Sequence, residues 1–155
     1  MTPISRILSG GQTGADRAAL DWAIARGIPH GGWCPHGRRA EDGPIAPRYQ
    51  LIETPSRDYE QRTRWNVCDS DGTLIVSRAA VLTGGSAFTA HCAERLNQPC
   101  LHVHPGAHDP ATVRIFLERH RIRTLNVAGP RASTDPGIYD YVIEVLERVF
   151  GAAQT

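Results

Sequence analysis

Ile4-Ser5-Arg6-Ile7-Leu8-Ser9-Gly10-Gly11-Gln12-Thr13-Gly14-Ala15-Asp16 decides the fold. A short apolar run leads into a glycine-rich turn, and the turn leads into a helical pattern. That pattern runs from about Ala15 to Arg26, stopped by Gly27 and Pro29, with Ala19/Ala23 and Leu20/Ile24 spaced to form an apolar face. Asp16 falls in the first turn, where a carboxylate suits the helix dipole. A strand feeding a helix through glycines is the opening of a parallel α/β unit. The same grammar returns at Gly72-Thr73-Leu74-Ile75-Val76-Ser77, followed by Thr83-Gly84-Gly85-Ser86-Ala87-Phe88-Thr89 and a helix to about Asn97. Glycine lets a backbone approach a ligand closely. A helix N-terminus offers unpaired N–H groups and partial positive charge, which favour phosphate or carboxylate. Either loop is an anion site or a tight turn and nothing more.

Working outward, Gly31 to Cys34 reads as a short second strand and residues 35–56 as a long loop. The loop is punctuated by Pro35, Gly37, Gly43, Pro44, Pro47 and Pro55. Loops of that length in compact domains are often functional. Arg57 to Asp69 reads as a helix with Asp58, Glu60, Arg62 and Arg64 on its wet side. Cys100 to His104 is a strand, and Ala111 to His120 a helix capped by Asp109 with Pro110 at its first position. Thr124 to Ala128 is the last strand, ended by Gly129-Pro130. Pro136 to Phe150 is the closing helix, with Ile138, Val142, Val145, Leu146 and Val149 on its apolar side. The expectation is a single Rossmann-like domain over residues 1–150, a doubly wound parallel sheet with helices on both faces, and a frayed tail at 151–155. Its ligand crevice should lie outside the carboxyl ends of the strands.

Composition narrows the function. The 155 residues carry a net charge of +1, so nucleic acid and anionic membranes are not expected partners. No apolar stretch reaches the roughly 20 residues of a membrane span. The N-terminus lacks a signal-peptide layout, which points to the cytoplasm. Cys34, Cys68, Cys92 and Cys100 contain no Cys-x-x-Cys pair, so no structural metal is expected, and they read as buried reduced thiols. All 17 basic residues are arginines, which removes lysine chemistry and leaves guanidinium groups suited to oxyanions. Cys100, His102 and His104 share one strand face without an evident fourth ligand, and their role is open. There is neither a Gly-x-Gly-x-x-Gly fingerprint, a Gly-Lys-Ser/Thr loop nor a Gly-x-Ser-x-Gly elbow, and no catalytic residue is identified. The candidate ligand-binding residues are Gly10, Gly11, Gln12, Thr13, Gly14, Asp16, Gly84, Gly85, Ser86, Thr89 and Gly129, with Arg38, Arg39 and Arg131 closing on a ligand phosphate or pairing with neighbouring carboxylates.

Five ordered segments also carry a resemblance. They are residues 9–16, Gly37 to Gly43, Asp71 to Ile75, Leu82 to Ser86, and Asn126-Val127-Ala128-Gly129-Pro130-Arg131. Together they resemble the molybdenum carrier proteins, over residues 4–148. That family looks related to molybdenum cofactor carriers and to the cytokinin-activating phosphoribohydrolases. The resemblance implies a Rossmann-like fold, a homo-oligomer, and a small phosphate-bearing ligand, either a nucleotide or molybdenum cofactor. The phosphoribohydrolases carry Pro-Gly-Gly-x-Gly-Thr-x-x-Glu. Here the stretch from Thr83 lacks the proline and the third glycine, and Cys92 stands where the glutamate would fall with Thr89 aligned. The resemblance therefore favours a carrier. A nucleotide or N-glycoside hydrolase and a non-catalytic nucleotide sensor are the alternatives.

Overall fold

A computed structural model describes residues 4–151. Its elements alternate as the sequence expects: β1 (Arg6–Leu8), α1 (Ala15–Ala25), β2 (His30–Gly31), β3 (Trp33–Cys34), β4 (Ile52–Glu53), α2 (Tyr59–Asp69), β5 (Gly72–Val76), α3 (Gly84–Arg95), β6 (Cys100–Val103), α4 (Pro110–Arg119), β7 (Thr124–Ala128) and α5 (Ile138–Phe150). Five strands form a parallel sheet in the order β2-β1-β7-β5-β6. The last strand of the chain is thus the middle strand of the sheet. The fold is single-domain, mixed α/β and Rossmann-like.

The central strands are apolar because both faces are covered. Every residue of β5 is buried. On one face Leu74, Val76, Leu125 and Val127 meet the small residues Ala15, Ala18, Ala19 and Ala23 of α1, together with Val113 and Leu117 of α4 and Val142 and Leu146 of α5. Trp22 ties α1 to α5, tilted on Phe150 at 5.3 Å and donating its indole N–H to Glu147 Oε1 at 2.8 Å. On the other face α2 and α3 pack side by side through Val67, Cys92 and Ala93. Asp109 caps α4, its Oδ1 accepting the Thr112 N–H at 2.8 Å.

Four details differ from the sequence reading. The strand expected at residues 31–34 divides at Gly32: β2 joins the main sheet, and β3 pairs with β4 in a separate two-stranded sheet. The long loop is therefore a folded lobe, with Cys34, Ala40, Ile45, Tyr49 and Leu51 buried together against Leu20 of α1. Leu20 faces that lobe, and Ile24, its expected partner on the sheet, is exposed. Arg62, placed by periodicity on the wet side of α2, is buried. Cys68 is exposed, whereas Cys34 and Cys92 are buried as expected. Of the tail expected to fray, residues 152–155 lie outside the described residues.

Candidate functional site

From β1 the chain crosses outward to β2, and from β5 it crosses outward to β6. The helices after those strands therefore lie on opposite faces, and a crevice opens at the carboxyl ends between them. It is a cleft of about 950 Å³. The cleft brings together Gly10, Gln12, Asp16, Gly84, Gly85, Ser86, Thr89, Gly129 and Arg131, nine of the sequence-predicted residues. It does not include Gly11, Thr13, Gly14, Arg38 or Arg39.

The two glycine loops, alike in sequence, differ in their hydrogen bonding. In the first, four of the six amides of residues 10–15 are spent on the protein. The Gly11 N–H donates to Ser9 Oγ at 3.3 Å, Gln12 N–H to Asp16 Oδ2 at 3.2 Å, Thr13 N–H to Gln12 Oε1 at 3.0 Å and Ala15 N–H to the Pro130 carbonyl at 3.1 Å. Its glycines give room to protein atoms. A Cβ on Gly10 would lie 1.9 Å from the Arg62 guanidinium, and one on Gly11 2.6 Å from Leu51. Gly14, at φ 79°, would meet the Pro130 carbonyl at 2.7 Å. Gly129 is held in the same way, because its Cβ would lie 2.2 Å from the Val76 carbonyl.

The second loop is the reverse. Thr83 precedes α3 without a side-chain capping bond. Among the described residues, the N–H groups of Gly84, Gly85 and Ser86 have no protein acceptor; the first amide of the turn to find one is Ala87, on the Thr83 carbonyl. A Cβ at Gly84 or Gly85 would meet nothing within 4 Å. Open space beside three unpaired amides at a helix N-terminus suits an anion. Thr89 sits one turn on, its hydroxyl donating to the Gly85 carbonyl at 2.9 Å.

The first loop supports the cleft from beneath. Asp16 is buried and pairs with Arg62 at 3.2 Å. Burial pushes its carboxyl above the usual carboxylate range, while Arg62 and the Gln12 N–H pull it back. Gln12 Oε1 accepts from both Thr13 N–H and Glu41 N–H, at 3.0 and 2.9 Å. That fixes the amide's orientation and leaves Nε2 without a partner among the described residues. Glu41 straps three remote segments together: it accepts from the Thr13 hydroxyl, and from the Ser133 N–H at 3.2 Å and hydroxyl at 2.5 Å. Those hydrogen bonds hold its carboxyl below the usual range.

The arginines of the long loop stand elsewhere than a phosphate-closing lid would put them. Arg38, at φ 54°, turns its guanidinium onto the carbonyls of Ile45, Ala46, Tyr49 and Leu51 at 2.7–3.3 Å. It organises its own lobe. Arg38→Ala is expected to cost about 2–3 kcal/mol, because it strands those carbonyls. Urea unfolding checks this; a loss below about 0.5 kcal/mol, the range of ordinary surface changes, would contradict it. Arg39 donates to the Arg57 carbonyl at 3.0 Å and lies over the Tyr59 ring at 4.6 Å.

Tyr59, Arg62, Asn66, Ser77 and Asn126 also line the cleft, and the sequence reading missed them. Tyr59, Arg62 and Asn66 follow an i, i+3, i+7 stripe on α2, a signal that was available. Ser77, at the end of β5, lies 2.6 Å from His102 Nε2 and 2.7 Å from the Ala79 carbonyl. The hydroxyl has one proton, and the carbonyl can only accept it. Nε2 then carries the proton that it shares with Ser77, so this arrangement does not activate the serine. Burial and the neighbouring His104 and His108 keep the His102 imidazole below its ordinary value. His102 and His104 stack at 4.9 Å, and no group of metal-ligating side chains forms among the described residues. Cys92 is buried in the α2–α3 packing and is not part of the cleft lining.

Comparison with known proteins agrees with this architecture. No curated protein matches the chain. A crystal structure from Syntrophus aciditrophicus, described as "Putative molybdenum carrier protein", matches with a TM-score of 0.90 and 49% identity over 95% of each chain. The sequence model of the "Circularly permutated YpsA SLOG family" matches residues 7–150. Matched by that model over nearly its whole length, the chain belongs to the circularly permutated YpsA SLOG family.

Proposed function

We propose that this protein is a binding or carrier protein that holds a phosphate-bearing small ligand in the cleft, with the phosphate on the N-terminus of α3. One observation carries the reading. Gly84, Gly85 and Ser86 present amides without protein acceptors to a cleft, beside glycines whose missing side chains leave open space. Nucleotides and a pterin phosphate both supply the matching group, and the description of the Syntrophus protein makes molybdenum cofactor a candidate cargo. The donor set fits the phosphate end of such a cargo. It offers no thiolate, imidazole or carboxylate cluster among the described residues to ligate molybdenum directly. Any metal would therefore be held through the pterin.

Two experiments test this. Native mass spectrometry of freshly purified protein should find a phosphate-bearing small molecule, and calorimetry should register binding of inorganic phosphate or AMP. Absence of both would overturn the proposal.

Binding without efficient turnover is the expected outcome. Cys92 is packed away from the cleft, and Glu94 is exposed and outside the lining. Neither puts an acid or base beside a ligand on α3. AMP incubated with the protein should stay intact over hours by chromatography. Turnover at about 1 per second or faster, lost on Asp16→Asn, would support the hydrolase reading instead.

A further inference from the structure

A second cation arrangement lines the cleft, carried by α2 and the turn after β7. Tyr59, the first residue of α2, is surrounded by three guanidinium groups. Arg39, Arg62 and Arg131 lie 4.6, 5.2 and 5.1 Å from its ring centroid. The phenol serves to hold guanidinium groups in place. Arg62 and Arg131 line the cleft, and Arg39 stands behind them.

The charges lining the cleft balance in number, but not all of them are paired. Six charged side chains line the cleft: Asp16, Glu60, Arg62, Arg78, Arg131 and Asp135. Arg62 pairs with Asp16, and Arg78 with Asp135. Glu60 is an exposed residue in the first turn of α2, where the helix dipole offsets it. Arg131 has no carboxylate within ion-pair distance among the described residues. Glu41 acts on it from further off, with its own oxygens taken by Thr13 and Ser133. Arg62 is a built feature and not a surface arginine. It is 8% exposed, its Nε donates to the Tyr59 carbonyl at 3.1 Å and its Nη1 to Asp16, and Gly10 is shaped around it. Its Nη2 has no acceptor among the protein's hydrogen bonds. Gln12 Nε2, in a residue 5% exposed that lines the same cleft, is a buried donor without a partner among the described residues. Unpaired buried donors are costly, and an acidic or phosphoryl oxygen would satisfy them.

We infer that Arg131 and Arg62, set by Tyr59, form a second anion subsite, so that the ligand of this cleft carries two separated anionic groups, one on the N-terminus of α3 and one here. The ligand class is a bisphosphate or a phosphate-linked dinucleotide in preference to a simple monophosphate. The inference rests on the reading under Proposed function and adds the second subsite to it. A cleft of about 950 Å³ is at the upper end for small-molecule sites and has room for a ligand of that length.

The test is calorimetry of the full chain at low salt with three probes: inorganic phosphate, AMP and adenosine 3′,5′-bisphosphate. Wild type should hold the bisphosphate at least about tenfold more tightly than AMP, the worth of one charge-assisted contact. Arg131→Gln should remove that advantage, bringing the bisphosphate and AMP affinities to within about threefold of each other. Gly85→Asp should weaken both nucleotides. Equal affinities for AMP and the bisphosphate in wild type would overturn the second subsite and leave the one-phosphate reading intact. So would a bisphosphate preference that survives Arg131→Gln. AMP binding lost in Arg131→Gln but kept in Gly85→Asp would overturn the assignment of the two ends. No binding of any probe would overturn both readings together.

Discussion

Gly85→Asp should leave the fold intact and abolish phosphate binding. A Cβ at Gly85 meets nothing within 4 Å, and the residue has no left-handed backbone to strain a side chain. A carboxylate in the first turn of α3 would interact favourably with the helix dipole, by about 0.3–1 kcal/mol. The melting temperature should therefore hold or rise. The same carboxylate would occupy the space beside the Gly84 and Ser86 amides and repel a phosphate, so affinity for AMP should fall at least about a hundredfold, combining lost amide contacts with like-charge repulsion. Calorimetry and thermal unfolding on one preparation read both halves. Retained affinity would move the phosphate away from α3. Unfolding would show that the open space at Gly85 is not as the structure describes.

The largest stability effect is expected at Arg62. Its guanidinium and the Asp16 carboxylate are both buried, with side chains 10% and 9% exposed. Arg62→Met keeps the stem and removes the charge, stranding Asp16. Breaking a buried pair from one side costs about 3–5 kcal/mol. The pH dependence gives a signature. Burial already holds the Asp16 carboxyl above its unfolded value of 3.8. A raised carboxyl contributes stability that is fully present below the unfolded value and lost as pH rises through the folded one. Without Arg62 the folded value rises further, so the penalty of the variant relative to wild type should shrink as pH falls from neutrality toward 5. Asp16→Asn added to Arg62→Met should recover part of the loss at pH 7, because no charge is then left to desolvate. Urea unfolding of wild type, Arg62→Met and the double variant at the two pH values gives the result. A pH-independent penalty, or a double variant no better than Arg62→Met, would show that the pair is not what holds this region.

The strand–turn–helix order of this fold was legible because its signals are local. The β-branched run Thr73 to Ser77 favours a central strand, and Asp109-Pro110 ahead of an amphipathic pattern favours a helix start. The placement of β7 between β1 and β5 was not legible, because sheet order is a long-range choice and no local feature of Thr124 to Ala128 encodes its neighbours. At the site, sequence reasoning gathered nine residues of one lining but treated two glycine clusters as equivalent. Gly84-Gly85 open onto space, whereas Gly10, Gly11 and Gly14 are vacated for Arg62, Leu51 and the Pro130 carbonyl. Composition cannot distinguish a glycine that admits a ligand from one that admits a neighbour. Arg38 misled for a related reason. A guanidinium in a long loop suggests an external anion, but here its acceptors are the carbonyls of the loop itself.

The central position of β7 also constrains how the chain acquires its structure during synthesis. β1 with β2 and β5 with β6 are separate pairs, and β7 alone bridges them, aligning Leu125 with both Ile7 and Gly72. Until Thr124 to Ala128 leave the ribosome, the nascent polypeptide holds two half-sheets with bare inner edges. Unpaired edges of that kind invite association between chains, and pairings distant in sequence form slowly. The cleft, built across that seam, comes into existence only once β7 has emerged. A chain that stops before β7 therefore yields an aggregation-prone fragment instead of a less stable version of the fold.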